Sequence, residues 1–204
     1  MQTSGDHQSY DFSGWEVIGK GTERVCYKHP DDPRRCVKLS PKSNSKQTHR
    51  EIRYLNFLKQ RGVPFTFIPE FYQVVETKDF IGMEVELVSN RDGTRALNLE
   101  HYLMAHHSSV DIGVFKQALE KLKAYLLEFN VIPCDLLLSN MLVVEEDEGI
   151  RVRLIDGYGA AEFIPFSNYF PVVGRRKIQR KWDKFINNII EPCIVRIKEE
   201  ASKC

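Results

Sequence analysis

No stretch of this sequence approaches the ~20 consecutive apolar residues needed to cross a bilayer, and its opening segment, MQTSGDHQSYDFSG, has no apolar core of the kind a cleaved leader carries. A membrane span is not expected, and the cytoplasm is the expected location. Cysteine is sparse and scattered: Cys26, Cys36, Cys134, Cys193 and Cys204 form no CxxC pair and have no histidine at zinc-ligand spacing. A disulfide scaffold and a metal cluster are thereby excluded, leaving thiols that behave as small hydrophobes in a reducing compartment. Net charge is only +1, so the molecule as a whole has no pull toward nucleic acid, and a nucleic-acid partner is not expected. Internal repeats and low-complexity tracts are missing too.

What is present is an ordinary globular balance, 42% hydrophobic and 28% charged, over 204 residues. That length suits one functional unit, either a single core or two small lobes. The pattern changes partway along. From Ser13 to about Val88 the chain reads as short β segments, Trp15 to Ile18, Val25 to Lys28, Arg35 to Leu39, Phe71 to Glu76 and Phe80 to Val88, around one helix. After the turn-rich Ser89-Asn90-Arg91-Asp92-Gly93, helical spacing takes over through Leu97 to Ala105 and Val114 to Phe129. Phe115, Leu119, Leu122, Leu126 and Phe129 mark the buried stripe of the second helix, which Asn130 is placed to terminate. Two β segments follow, Met141 to Val144 and Ile150 to Ile155, joined by the polar turn Glu145 to Gly149 as a hairpin. The last helix carries Ile178, Trp182, Phe185, Ile186 and Ile189 on one side, with an end or kink expected at Pro192.

The hairpin makes a chemical prediction. In an antiparallel pair the residue entering the first strand and the one leaving the second lie at the same end, so Asn140 and Asp156 are placed to converge, and Asp135 on the approach loop is placed to join them. An amide oxygen and a carboxylate form a hard oxygen pair suited to magnesium completed by substrate phosphates. The same residue types also cap turns, which is the competing reading. On the first-half helix, Glu51 shares the face of Leu55 and Leu58, and a buried carboxylate requires a cation. Lys38, in the apolar segment Cys36 to Leu39, is the expected partner, unless it reaches solvent along its stem. Gly19-Lys20-Gly21 sits between two β segments, either as a plain turn or as a loop open to a phosphate.

The order of these features, glycine turn, strand lysine, helix glutamate, aspartate with asparagine five places later, then a hairpin closing on aspartate, follows a kinase site. From Trp15 onward the chain resembles the protein kinase-like superfamily. It is more closely similar to the bacterial family called PhoP regulatory network protein YrbL, through LIDGYG at 154 to 159 and the following FIP and GRRKI stretches. The resemblance implies an α+β, kinase-like fold in two lobes: an antiparallel-sheet lobe with one helix over about 13–88, and a reduced, mainly helical lobe over 89–204, with nucleotide in the cleft between them. It further implies that Lys38 holds the α- and β-phosphates, Glu51 orients Lys38, Asp135 positions the accepting hydroxyl, Asn140 and Asp156 bind magnesium, and Glu86 to Val88 form the hinge that meets adenine. Departures accompany it. Pro133-Cys134 stands where protein kinases have His-Arg, Leu137 where they have lysine, Arg24 replaces the third loop glycine, and Gly157-Tyr158-Gly159 follows Asp156. With about forty-five residues after Gly159 there is no room for a long activation segment, so a peptide substrate is disfavoured.

The expected function is an ATP- and magnesium-dependent phosphotransferase acting on a hydroxyl of a small molecule, sugar or lipid head group. Its rival is a non-catalytic, nucleotide-binding regulatory module, which Pro133, Cys134 and Leu137 favour. A basic interaction protein working through Arg175 to Lys184 ranks last, since Arg175, Arg176, Lys177, Arg180 and Lys181 read first as a solvated helix face. His106 and His107 read as a surface pair, and Cys134 as a packed thiol beside Asp135.

Overall fold

The computed structural model describes residues 10–106, 109–159 and 169–201, with side chains through 199. The chain divides into two compact units, Met1–Asn56 with Glu70–Leu87, and Phe57–Pro69 with Val88–Cys204. Among the described residues no helix is long and apolar enough to cross a membrane.

The first unit is a five-stranded antiparallel sheet, β1 (Val17–Lys20), β2 (Val25–Lys28), β3 (Arg35–Pro41), β4 (Phe71–Glu76) and β5 (Phe80–Glu86), in the order β1-β2-β3-β5-β4, with α1 (Lys46–Gln60) entering after β3. Alternation along β3 decides what each face sees. Val37 and Leu39 are buried with Val75, and Tyr10, Phe12, Trp15 and Tyr27 pack against them. On the opposite side Ser40 meets Thr48 of α1 through a buried hydroxyl hydrogen bond of 2.6 Å. The sheet is thus covered by α1 on one face and by an aromatic segment beginning at Tyr10 on the other. Spacing alone offered no sign of the segment's role, because Tyr10, Phe12 and Trp15 belong to no periodic element. The first strand also starts later than expected, at Val17, and its register with β2 shifts between Val17 and Gly19.

In α1, Thr48, Glu51, Ile52, Leu55 and Leu58 are buried, one stripe at three- and four-residue steps. Gly82 of β5 lies opposite Leu39, and a Cβ there would come within 2.1 Å of the Lys38 carbonyl oxygen. Only glycine permits that strand approach.

The second unit holds β6 (Leu97–Asn98), α2 (Leu99–Ala105), α3 (Ile112–Glu128), β7 (Met141–Glu146), β8 (Gly149–Leu154), α4 (Pro171–Phe185), a π-helical turn (Ile186–Ile190) and α5 (Glu191–Ala201). Leu97 begins a short strand beside β7 rather than a helix, and Asn98 then caps α2 by accepting from the His101 N–H. Asp111 caps α3, its carboxylate accepting from Gly113 and Val114. Asn130 ends α3 in the left-handed region at φ 53, and the Val131 N–H reaches back to the Leu126 carbonyl at 2.9 Å, closing the orphan end of the helix.

The hairpin is tighter than expected. β7 runs to Glu146 and pairs with Gly149, whose φ of +94 leaves only Asp147 and Glu148 in the turn. The Leu154 N–H donates to the Phe67 carbonyl, Arg153 donates to the carbonyls of Phe65 and Ile68, and the Tyr125 hydroxyl donates to the Pro64 carbonyl. These bonds fix segment 64–68 against β8 and α3.

Pro192 neither ends nor breaks the last helix. The Glu191 N–H bonds five residues back to Ile186, so one extra residue enters just before the proline, which then occupies the first turn of α5 where its missing donor costs least. The same insertion shifts the apolar stripe. Ile178, Trp182 and Phe185 are buried as expected, Ile186 and Ile189 are half-buried, and the fully buried series continues through Ile190, Ile194 and Ile197.

Candidate functional site

In the first unit, Glu51 and Lys38 are brought together by the facing of α1 on β3. Lys38 Nζ lies 3.9 Å from Glu51 Oε1, and the Glu51 side chain is only 3% exposed. Sequence reasoning missed a second cation on the same carboxylate: the Arg24 guanidinium holds Glu51 Oε2 in the shorter contact. Oε1 has no hydrogen-bond partner among the described residues. Arg24 lies three residues after Gly21, and its own carbonyl closes the turn by accepting from the Gly21 N–H at 2.8 Å. The need of Glu51 for a cation was readable in the sequence. That a loop residue far from Lys38 in sequence would also answer it was not, since strand spacing says nothing about where a loop side chain folds back.

Gly19 and Gly21 have ordinary backbone angles, and a Cβ at either would meet only van der Waals neighbours at 3.7 Å. Nothing local therefore demands glycine there; what glycine leaves is bare backbone. Cys36, two residues before Lys38, is buried, and a hydrogen bond with Cys26 followed by burial pushes its thiol well above the ordinary range. At the end of β5, the Glu86 N–H donates to the Glu70 carbonyl, its carboxylate accepts from the Glu70 N–H, and the Leu87 N–H donates to Arg34. The backbone donors of Glu86 and Leu87 are thus engaged internally. Val88, buried at 3% exposure, begins the second unit's main segment.

In the second unit, Gly157 adjoins the Asp135 backbone, the Asn140 amide and the Asp156 carboxylate. Gly157 adopts φ +73 and turns its carbonyl to both the Cys134 N–H, at 2.5 Å, and the Asp135 N–H, at 3.1 Å. Its own N–H donates to Asp156 Oδ1 at 2.7 Å. A Cβ on Gly157 would meet the Asp135 carbonyl at 2.7 Å and the Asn140 amide nitrogen at 2.8 Å. Ile155 N–H donates to the Asn140 carbonyl, Gly159 N–H to Ile132, and Pro133 bridges Tyr158. The approach loop and the segment leaving β8 are therefore laced together by backbone, with Asp135 exposed and Asn140 and Asp156 half-buried.

The donor set fits magnesium rather than zinc. An amide and a carboxylate are hard oxygens, and magnesium takes one or two such ligands while keeping waters and phosphates for the rest. No cluster of three or more His, Cys, Asp or Glu side chains able to hold a metal exists among the described residues.

The basic cluster on α4 is not wholly solvated. Arg175 donates to the Leu127 carbonyl near the end of α3, and the Lys181 ammonium donates to the Cys134 carbonyl, one peptide before Asp135. Arg176 and Arg180 do face solvent. His106 stacks on Tyr102 and its ring nitrogen meets the Tyr102 carbonyl. His107 and Phe163-Ile164-Pro165 lie outside the described residues.

The sequence profile of the family described as PhoP regulatory network protein YrbL matches residues 11–190. The protein YrbL of Escherichia coli (strain K12) is 29% identical over 174 residues, which cover 83% of this chain and 82% of that protein. YrbL of Shigella flexneri matches to the same extent.

Proposed function

This chain belongs to the PhoP regulatory network protein YrbL family, and on the chemistry of its two charged clusters we propose that it is an ATP- and magnesium-dependent phosphotransferase of protein kinase-like, two-lobed fold, acting on a hydroxyl of a small molecule, sugar or lipid head group. The observation that carries the proposal is the meeting at Gly157 of the Asp135 backbone, the Asn140 amide and the Asp156 carboxylate, brought from one loop and one hairpin. Turn capping explains the Asp156 bond to Gly157, but it does not require Asp135 and Asn140 at the same glycine.

Asn140 and Asp156 would hold magnesium, which when bound neutralises developing charge on the phosphoryl oxygens. The Lys38 ammonium would hold the α- and β-phosphate oxygens, and Glu51 would keep it in place. Asp135 would accept the proton as the substrate hydroxyl attacks the γ-phosphorus and the bond to the β-phosphate oxygen breaks, releasing the diphosphate. Asp156 is already oriented by its bond from Gly157, so little reorganisation accompanies binding.

The test is nucleotide titration with and without magnesium, followed by a screen of hydroxyl acceptors. Asp135→Asn should abolish transfer while sparing nucleotide binding, and Asp156→Ala should remove the magnesium-dependent thermal shift. Absence of both turnover and an Asp156-dependent shift would overturn the proposal.

One observation favours a second reading, a nucleotide-binding regulatory module without transfer: the closer partner of Glu51 is Arg24, not Lys38. Tight magnesium-nucleotide binding with no phosphate release over hours would decide for it.

A further inference from the structure

Glu51 is a carboxylate with two claimants. It is buried on α1, its Oε2 is taken by the Arg24 guanidinium, and its Oε1 lies 3.9 Å from the Lys38 ammonium without a hydrogen bond among the described residues. Arg24 and Lys38 are themselves largely buried, at 11% and 12% side-chain exposure. Since the two oxygens belong to one carboxyl group, both cations are drawn to the same buried charge and repel each other. An unsatisfied buried acceptor beside an ammonium that falls just short of it is an arrangement with a better-bonded neighbour: a small advance of Lys38 completes the Glu51 pair.

What would allow that advance is a new partner for Arg24. Its guanidinium carries five donors in a planar fork whose spacing matches phosphate oxygens, which lysine does not reproduce. It also stands immediately beside Gly21, whose loop it closes through its carbonyl. The glycine backbone and a fork donor thus belong to one loop, and that donor shares Glu51 with the Lys38 ammonium.

We infer that Arg24 is a phosphate-binding residue for a polyphosphate ligand, and that it exchanges Glu51 for the ligand's oxygens while Lys38 takes up the freed carboxylate. The position where the kinase resemblance expects a third glycine then supplies charge instead of clearance. The inference rests on reading the β1–β2 loop as a phosphate loop, but not on any transfer step.

The experiment is calorimetric titration of the full chain with inorganic tripolyphosphate, ATP and adenosine. Arg24→Met should weaken tripolyphosphate and ATP by about 10-fold or more, the worth of one charge-assisted phosphate contact, and leave adenosine unchanged. Arg24→Lys, which keeps the charge and loses the fork, should fall between. If Arg24→Met melts without ligand, the double variant R24M/E51Q, which removes both charges of the pair, takes its place and should show the same loss relative to E51Q alone. Tripolyphosphate binding that is unchanged or tighter without Arg24 would make the residue a mere latch and overturn the inference, as would failure of the unaltered chain to bind tripolyphosphate. Arg24-dependent tripolyphosphate binding with ATP no tighter and no transfer would instead sink the phosphotransferase proposal and leave the anion site standing.

Discussion

The two charged clusters of this molecule are built in opposite ways. In the first unit, Arg24, Lys38 and Glu51 are held by side-chain ion pairs, one of them incomplete, between a loop, a strand and a helix. In the second, Gly157 binds the Asp135 N–H and the Asp156 carboxylate, and the Asn140 carbonyl accepts from the Ile155 N–H, so the segments carrying all three residues are tied by backbone groups. Side-chain pairs exchange partners on rotamer timescales, whereas a laced backbone moves only if several hydrogen bonds break together. The first cluster is therefore suited to respond to a ligand and the second to wait for one in place.

The contrast breaks most sharply at Gly157. Ala there must adopt φ +73 and place a Cβ 2.7 Å from the Asp135 carbonyl, so backbone strain and overpacking together should cost about 4 kcal/mol. Denaturant melts should show that loss, and magnesium-dependent nucleotide binding should disappear with it. A variant that folds normally and still binds would show that the second cluster is not held by its backbone.

Glu51→Gln probes the other side. Removing the carboxylate leaves Arg24 and Lys38 facing each other in a largely buried place, a change that should cost about 3 kcal/mol. Salt should recover part of it by screening the repulsion. If stability is unchanged, the cations relax elsewhere and the first cluster is looser still than its contacts imply. Gly82→Ala follows at about 2 kcal/mol, because its Cβ would strike the Lys38 carbonyl and spread β5 from β3. Hydrogen exchange should show the loosening at Lys38 and Met83, which lie opposite each other in the ladder.

The same contrast marks what the sequence could tell. Elements with a strong period were legible: α1, α3, the hairpin and the strands of the first half follow from apolar spacing, while the antiparallel arrangement of those strands was implied by the family resemblance. That Asn140 and Asp156 flank the same end of the hairpin followed from its geometry alone, since register sets Met141 opposite Leu154. Tyr10, Phe12 and Trp15 were not legible as a sheet cover, nor Arg24 as a partner of Glu51, because both depend on where an aperiodic segment folds back. Pro192 does not end the helix, for a different reason: a π turn precedes it, and no spacing rule announces the extra residue.

Lys181 gives the smallest effect and the finest division between holding a loop and using it. Its ammonium meets the Cys134 carbonyl, while the Asp135 N–H is bound to the Gly157 carbonyl, so the peptide leading into Asp135 is gripped from both ends. The contact comes from α4, the helix whose Ile178 and Trp182 are buried in the second unit's core, so the grip is set by packing rather than by charge density on the helix face. Lys181→Met keeps the stem that packs and drops only the donor, at a cost of about 1 kcal/mol. If the bond positions Asp135, the turnover rate should fall several-fold with the nucleotide KM unchanged, and Lys181→Arg should restore most of it. Equal changes in rate and KM, or rescue by no cationic residue, would reduce Lys181 to a structural tie and leave Gly157 alone in charge of the loop.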